Sequence, residues 1–212
     1  MDIEKLLAGY PGRGIFLGLT GTSPCFAYFV TGRSTASMER RAVVDGSHVR
    51  IEPLQGRRSD ALRHYECIRT SSRSAFITNG SHIAAIARPF MNKVLLAEAL
   101  RKAGHEKDGL KTPRIAGAIL PGNRMYLGIV SSHPVVRKLE TKTGSMSGIV
   151  TYNGDVSRPE PFDAAALSVP IRAETPETLA RFFFDMLNKD LRVCAVAGVL
   201  KEQWHLHAVN RN

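Results

Sequence analysis

The sequence predicts an α+β protein whose sheets are mostly antiparallel. About ten short segments are either apolar throughout or alternate between apolar and polar residues, and turn-forming residues separate them. Most neighbouring segments are joined by links short enough for β-hairpins. Segments with helical periodicity are few and stand singly between runs of strands, which favours α+β over a parallel fold. Two stacked sheets with a layer of helices on each outer side would accommodate these strands and helices.

The first half of the chain supplies a series of predicted hairpins. Residues 1–9 form a short amphipathic lead-in, followed by a turn at residues 10–14. A turn-rich link at residues 20–24 connects the first two apolar runs, which predicts a hairpin. The predicted strands of this half lie at residues 15–19, 25–30, 41–45, 48–52, 65–69 and 74–78.

Two helices and a charged connection follow these strands. Asn79-Gly-Ser-His82 turns the chain into a short helical stretch that begins near Ile83, with Ser81 as the expected N-cap. A second helix is predicted from about Met91 to Ala103 and ends at Gly104. The connection after it places charged side chains near the end of a buried strand; they are Glu106, Lys107, Asp108, Lys111 and Arg114.

The second half is again rich in predicted strands. They lie at residues 115–120, 125–130, 135–142, 148–152, 193–200 and 204–209, and the last two form a hairpin. A helix over about 175–188 is expected to begin with Thr175 as its cap and Pro176 at the first helical position. No linker, repeat or change of composition divides the chain, so we expect a single domain over residues 1–212, with 1–9 as an extension.

The charge composition favours an anionic partner. The net charge is +10, and arginine contributes about twice as much of the positive charge as lysine. The arginines are scattered, with one denser patch at Arg57, Arg58 and Arg63, and no block of like charges occurs. This distribution favours a small anionic ligand over a nucleic acid.

Targeting and cysteine signals are weak. No run of 18 or more apolar residues is present, and the start of the chain does not resemble a signal peptide, so we expect a cytoplasmic protein without a membrane partner. Cys25, Cys67 and Cys194 are far apart and odd in number, which predicts neither a disulfide framework nor a zinc site.

Three motifs in a fixed order resemble a known family. They are Tyr65-x-Cys-Ile-Arg69, Asn79-Gly-Ser-His82 and Glu106-Lys-Asp-x-Leu-x-Thr-Pro-Arg-Ile-Ala116. Together they resemble the archaeal-type IMP cyclohydrolases, which close the second ring of the purine. The resemblance runs from about Tyr10 to Val130, and beyond Val130 only the strand-helix-strand pattern agrees.

The resemblance implies a fold and a reaction. The fold is a four-layer α-β-β-α sandwich like that of the N-terminal-nucleophile hydrolases, without their nucleophile. The reaction closes 5-formamidoimidazole-4-carboxamide ribotide (FAICAR) to IMP with loss of water, and it requires neither a metal nor a redox cofactor. The substrate is a purine-precursor nucleotide, and association of sheet edges between subunits predicts a homo-oligomer.

The resemblance also implies the site residues. Arg33, Tyr65 and Glu106 form the expected catalytic set. Glu106 would take a proton from the carboxamide, while Tyr65 or Arg33 would polarise the formyl oxygen. The expected substrate-binding residues are Asn79, Ser81, His82, Arg69, Lys107 and Arg114, with Arg114 a candidate phosphate partner.

Two other functions fit the sequence. A related amidohydrolase or nucleotide-binding enzyme would keep the fold and act on another heterocyclic nucleotide. Cyclisation of FAICAR, but not of neighbouring imidazole nucleotides, would argue against this alternative. A basic nucleic-acid-binding module would instead bind oligonucleotides tightly, with a steep dependence on salt.

Overall fold

The computed structural model describes residues 2–55, 60, 62–88, 90–130, 133–153, 155–162 and 166–211. Arg57 and Arg58 of the predicted arginine patch lie outside these residues. The helices within them are α1 Ile3–Ala8, α2 Thr35–Met38, α3 Ile83–Ile86, α4 Lys93–Ala103 and α5 Pro176–Met186. The strands are β1 Arg13–Thr20, β2 Ser23–Thr31, β3 Arg40–Asp45, β4 His48–Pro53, β5 Tyr65–Ser71, β6 Ser74–Thr78, β7 Arg114–Leu120, β8 Arg124–Val130, β9 Pro134–Lys138, β10 Ser145–Val150, β11 Tyr152–Asn153, β12 Glu160–Pro161, β13 Leu167–Pro170, β14 Arg192–Leu200 and β15 Trp204–Asn210.

The strands form two large sheets and one short ribbon. The six-stranded sheet has the order β13-β10-β1-β2-β14-β15, and the seven-stranded sheet runs from β3 to β9 in chain order. The pairs within both sheets, and the β11-β12 ribbon, are antiparallel. The predicted α+β fold with mostly antiparallel sheets is therefore confirmed.

The two sheets pack face to face through alternate residues of β1 and β7. Ile15 and Leu17 of β1 lie against Gly117 of β7, where an added Cβ would be 2.8 Å from Ile15 Cγ2. Phe16, between them, points to the other face and contacts Phe183 of α5, with ring centroids 4.9 Å apart. Because side chains alternate along a strand, α5 covers the outer face of the six-stranded sheet.

Helix α4 covers the outer face of the seven-stranded sheet. Gly128 of β8 leaves room for this approach, since an added Cβ there would be 2.5 Å from Leu100 Cδ1 of α4. Leu127, its neighbour in the strand, belongs to the core between the sheets. Among the described helices, none is both long and apolar enough to cross a membrane.

Helix ends agree with the sequence in two places and differ in one. Thr175 caps α5, with Pro176 in its first turn, and Gly104 ends α4 with a φ of 59°. Ser81 was the expected N-cap of α3, but this prediction is wrong. The N-cap is His82, and it makes no side-chain capping bond. Its ring is used elsewhere, because Nε2 lies 3.2 Å from the carbonyl oxygen of Ile115.

Strand predictions fail at two of the four edges of the large sheets, those formed by β9 and β13, whereas the edge strands β3 and β15 were predicted. The predicted strand at residues 135–142 ends at Lys138, where the pairing of β9 with β8 stops. Strand β13 was not predicted; it has four residues, ends at Pro170 and pairs only with β10 in its sheet. β9 and β13 are each paired on one side only and each contains a proline, so their sequence signal is weak.

Candidate active site

A cavity of about 490 Å³ lies where several strands begin or end. Strand β1 starts there and β2 ends there, because Arg13 pairs with Val30. The lining residues come mainly from these strand ends, from the segment that carries α2 and from the loop before β7; they are Tyr10, Arg13, Thr31, Arg33, Ser34, Ala36, Ser37, Arg40, Asp60, Leu62, Arg63, Glu106, Asp108, Gly109, Leu110, Thr112 and Tyr152.

Glu106 is nearly buried between two arginines. Its side chain is 2% exposed; Oε2 lies 3.3 Å from Nη1 of Arg13, and Oε1 lies 3.5 Å from Nη1 of Arg114. Among the described residues, Oε2 accepts no hydrogen bond. Burial raises the pKa of Glu106, and the charges of Arg13 and Arg114 oppose this rise. The carboxylate is therefore more basic than an exposed one, and one of its oxygens has hydrogen-bonding capacity to spare.

The loop that carries Glu106 is held by its own hydrogen bonds. The backbone N–H of Glu106 donates to the carbonyl of Thr112 at 2.9 Å, and the N–H of Lys111 donates to the carbonyl of Asp108 at 3.1 Å. Asp108 accepts the backbone N–H of Thr112 at 2.8 Å and also its hydroxyl. These bonds fix the backbone that positions Glu106.

Gly80 allows the contact between Glu106 and Arg114. An added Cβ would lie 1.9 Å from Arg114 Nη1 and 2.9 Å from Glu106 Oε1. A side chain at this position would displace the guanidinium, so the Asn-Gly turn after β6 has a steric function here.

Asn79 and His82 hold the start of β7. The Asn79 amide donates to the carbonyl of Pro113 at 2.8 Å and accepts the N–H of Ile115 at 3.0 Å. His82 Nδ1 lies 3.4 Å from Arg114 Nη1, while Nε2 faces the carbonyl of Ile115. A neutral ring with its proton on Nε2 satisfies both partners. Burial, together with Arg114, lowers the pKa of His82 to about 3, which keeps the ring neutral.

The α2 segment places two further arginines at the cavity. Arg40 is buried, and its Nε donates to the carbonyl of Ser37 at 2.6 Å. Burial lowers the pKa of Arg40. Arg33 is exposed. Among the described residues, neither guanidinium has a carboxylate partner, whereas Arg63 is paired with Asp60 at 2.7 Å. A buried cation without a counter-ion is costly, so this side of the cavity favours an anionic ligand.

Tyr65 is close to these arginines but is not among the residues that line the cavity. It is buried, and its hydroxyl shares a hydrogen bond of 2.9 Å with the hydroxyl of Tyr28. Burial raises the pKa of Tyr65, and the charges of Arg13 and Arg40 oppose the rise. The phenol therefore contributes to the electrostatics of the site from behind its surface.

Tyr10 and Tyr152 give the cavity an aromatic wall. Their ring centroids are 5.7 Å apart and their planes differ by 18°, so the rings stack. Tyr152 comes from the second half of the chain and is held by Thr112, whose hydroxyl lies 2.5 Å from the Tyr152 hydroxyl. A stacked pair of this kind offers an apolar surface for a planar ring.

The structure brings together only part of the predicted site. Arg33 and Glu106 line the cavity, and Arg114 contacts Glu106 from beside it. Ser81 and Lys107 are exposed and do not line it. Arg69 lies further along β5, where its guanidinium binds Glu66 at 2.9 and 2.6 Å.

Sequence reasoning missed Arg13, Arg40, Tyr10 and Tyr152. A signal for the arginines did exist: Arg13, Arg40 and Arg114 are each the first residue of a strand. An arginine at the entry to a buried strand is a candidate for a site at the sheet end. Nothing in the sequence distinguishes Tyr10 or Tyr152 from tyrosines that only pack.

This geometry defines a class of site. A buried carboxylate, arginines that have no carboxylate partner among the described residues and an aromatic wall, on an α+β scaffold, form a pocket for a small anionic molecule with a planar ring. Comparison of sequences gives the family: the chain belongs to the family described as "IMP cyclohydrolase-like protein", whose model matches residues 10–203. The resemblance therefore extends well beyond Val130, where the motifs placed its end.

Several archaeal relatives carry the name IMP cyclohydrolase. The chain is 33% identical to that of Methanothrix thermoacetophila over 202 residues, covering 91% of this chain and 94% of the relative. It is 32% identical to that of Methanocaldococcus jannaschii over 201 residues, covering 91% and 95%. It is also 32% identical to that of Thermococcus kodakarensis over 203 residues, covering 93% and 96%.

Proposed function

We propose that this protein is an IMP cyclohydrolase that converts FAICAR to IMP with release of water. The observation that carries the proposal is the combination of Glu106 with Arg40 in one cavity. Glu106 offers a basic carboxylate, and Arg40 offers a buried cation that lacks a carboxylate partner among the described residues. The substrate needs both, since it has a weakly acidic carboxamide at one end and a phosphate at the other. The names of the relatives support the same activity.

Glu106 is the proposed general base. Its carboxylate takes a proton from the carboxamide nitrogen as that nitrogen forms a bond to the formyl carbon. The formyl oxygen then gains a proton to give a carbinol. The carbinol loses its hydroxyl, together with the proton of the former formamide nitrogen, as one water, and the C=N bond of the purine remains. A positioned base of this kind contributes about 10²- to 10⁴-fold to a rate.

Arg13 is the proposed donor to the developing oxyanion. It lines the cavity, its Nη1 is 3.3 Å from Glu106 Oε2, and its buried Nε has no partner among the described residues. A preorganised donor of this kind is worth roughly 3–4 kcal/mol in a transition state. Arg33 is a second candidate for this role. Tyr65 does not line the cavity, so it would influence the reaction through its electrostatic interaction with Arg13 and Arg40.

Arg40 and Arg33 are the proposed phosphate-binding residues. Both line the cavity and neither has a carboxylate partner among the described residues. Arg114 was the phosphate candidate from sequence, but its contact with Glu106 favours a part in orienting that carboxylate. The heterocycle would then lie against Tyr10 and Tyr152. Asn79 and His82 would position Arg114, and contacts of Ser81, Arg69 and Lys107 with the substrate remain predictions.

The proposal includes the layered fold, the oligomeric state and the cellular location of the protein. The packing of two sheets between α4 and α5 supports the four-layer sandwich of the N-terminal-nucleophile hydrolases for a single domain. Formation of a homo-oligomer and a cytoplasmic location stay predictions.

An absorbance assay of IMP formation from FAICAR tests the proposal. Glu106→Gln is measured with wild type and with Glu98→Gln, which neutralises an exposed carboxylate of α4 outside the cavity. We expect turnover by wild type and by the control, and its collapse in Glu106→Gln. Turnover unaffected by Glu106→Gln would refute the assigned base.

The assay also separates the alternatives. Among the described lining residues, Tyr152 comes from beyond Val130, so the second half contributes to the wall proposed for the heterocycle and thereby to substrate choice. Folded wild type that binds FAICAR without cyclising it, but converts another heterocyclic nucleotide, would favour the related amidohydrolase. Tight binding of oligonucleotides with a steep salt dependence would favour the nucleic-acid module.

A further inference from the structure

A second cavity, of about 320 Å³, lies between the C-terminal half of α5 and the ends of β14 and β15. Its lining shares no residue with the first cavity. Among the described residues that line it, four side chains are cationic and none is acidic; these residues are Arg181, Phe184, Lys189, Arg192, Asn210 and Arg211.

Arg192 is held in place by one of its nitrogens. Nη1 lies 3.5 Å from the carbonyl of Phe184 and 3.6 Å from Oδ1 of the exposed Asp185. The guanidinium also stacks over the Phe184 ring, with Cζ 4.3 Å from its centroid. Among the described residues, these contacts use Nη1 and the face of the group and leave the donors on Nε and Nη2 for a ligand.

Arg211 is anchored in the same way. Its Nη1 donates to the carbonyl of Asp190 at 2.9 Å and contacts Met38 Sδ at 3.5 Å. Within the described part of the chain, the other two nitrogens of its guanidinium, Nε and Nη2, have no protein partner. Two guanidiniums are therefore preorganised at this cavity, each with donors to spare, which lowers the entropic cost of binding an anion.

The other two lining cations add charge and have no carboxylate partner within the described part of the chain. Arg181 and Lys189 are exposed, and Cζ of Arg181 is 5.8 Å from the same Phe184 ring that Arg192 covers. Asp185 is the one carboxylate that pairs with a lining cation among the described residues. The Asn210 side chain is occupied by both backbone groups of Ala42, at 2.7 and 3.0 Å. Like charges so close to one another repel, and a bound anion would relieve the repulsion.

We propose that this second cavity binds a small phosphate-class anion, such as a phosphomonoester or a diphosphate. Guanidinium groups with free, fixed donors are the protein groups best suited to phosphate oxygens. The cavity is separated from the first one by the α2 segment. Arg211 touches Met38 of α2 from one side, while Ser34 and Ser37 of the same segment line the first cavity.

Titration calorimetry with inorganic pyrophosphate tests this proposal in an Arg40→Gln background, which removes a cation from the first cavity. Into this background we introduce Arg181→Gln with Lys189→Gln, both at exposed positions of the second cavity. The matched control is Arg101→Gln with Lys102→Gln, which removes the same charge from the exposed face of α4. If Arg40→Gln does not fold, Arg33→Gln replaces it.

We expect the Arg181/Lys189 pair to weaken pyrophosphate binding at least about tenfold, and the α4 pair to change it less than about twofold. Equal affinity in the two double variants would overturn the proposal. A single-stranded oligonucleotide that binds the second cavity more tightly than pyrophosphate would overturn the small-molecule assignment in favour of a nucleic-acid backbone. None of these outcomes depends on turnover of FAICAR. The test of the second cavity is therefore independent of the test of the cyclohydrolase activity.

Discussion

The two sides of the first cavity use arginine in opposite ways. On the Glu106 side, Arg13 and Arg114 share one buried carboxylate at 3.3 and 3.5 Å. On the α2 side, Arg33 and Arg40 have no carboxylate partner among the described residues, although Arg40 is buried. On the Glu106 side both arginines already contact a carboxylate before a ligand arrives, whereas the arginines of the α2 side lack such a partner among the described residues until an anion binds. We infer that the first side serves the chemistry and the second side holds the substrate.

The largest expected effect is that of Glu106→Gln. The amide keeps the size of the side chain but cannot take the carboxamide proton, so kcat should fall about 10³-fold, with KM changed far less. In wild type, kcat should decline in acid as Glu106 becomes protonated, with a midpoint above its ordinary pKa because burial raises it. Steady-state kinetics across pH measure both effects. If Glu106→Gln instead bound the substrate more weakly and kept its kcat, the Glu106 side would hold the substrate and would not serve the chemistry.

Gly80→Ala should have the next largest effect. The new Cβ must push aside the end of the Arg114 side chain, which is flexible, so the protein should fold while Glu106 loses its aligned partner. We expect kcat to fall roughly 10- to 100-fold, because small displacements of reacting groups cause losses of this size. The measurement pairs kinetics with thermal unfolding.

Gly109→Ala is the matched control for Gly80→Ala. Gly109 lies in the loop after Glu106 and also lines the cavity, but an added Cβ there has no neighbour within 4 Å, so the variant adds a methyl group near the site without displacing Arg114 or Glu106. A similar loss of kcat in both variants would show that the contact between Arg114 and Glu106 is not responsible.

Arg40→Gln should separate binding from chemistry. It removes the buried cation of the α2 side but leaves Glu106, Arg13 and Arg114 in place. We expect KM to rise roughly 10- to 100-fold, the value of a charge-assisted hydrogen bond to phosphate, with kcat within a few-fold of wild type. Arg63→Gln is the control, since Arg63 also lines the cavity but is already paired with Asp60. A fall in kcat without a change in KM would place Arg40 with the chemistry.

The sequence predicts the scaffold far better than the site. Central strands such as β1, β2 and β7 are apolar runs bounded by turn residues, so local pattern locates them. The short edge strand β13 owes its conformation to pairing with β10, which is not visible locally.

The site depends on contacts between distant parts of the chain. Glu106 could be singled out because it lies in a charged loop beside a buried strand. Its partner Arg13 lies 93 positions earlier in the chain, and only the packing of the two sheets brings them together. Within the seven-stranded sheet, the pairing of β6 with β7 lets Asn79 and His82 of a predicted binding motif bond to Ile115 at the start of β7, which their sequence cannot reveal.

The smallest expected effect is a pH dependence of stability that arises from His82. The folded state holds the pKa of His82 at about 3, while the unfolded chain protonates it near 6.5. Between these values the unfolded state binds more protons, so the free energy of unfolding falls as the pH falls, by about 2 kcal/mol at pH 5 for this group.

His82→Gln keeps a donor for the Ile115 carbonyl but does not titrate, so urea unfolding at pH 7 and pH 5 should show a weaker loss of stability. His205→Gln, at an exposed position, is the control. Equal pH dependence in wild type and His82→Gln would mean that the ring is not held neutral. A charged His82 would then add a third cation, beside Arg13 and Arg114, around the single carboxylate of Glu106.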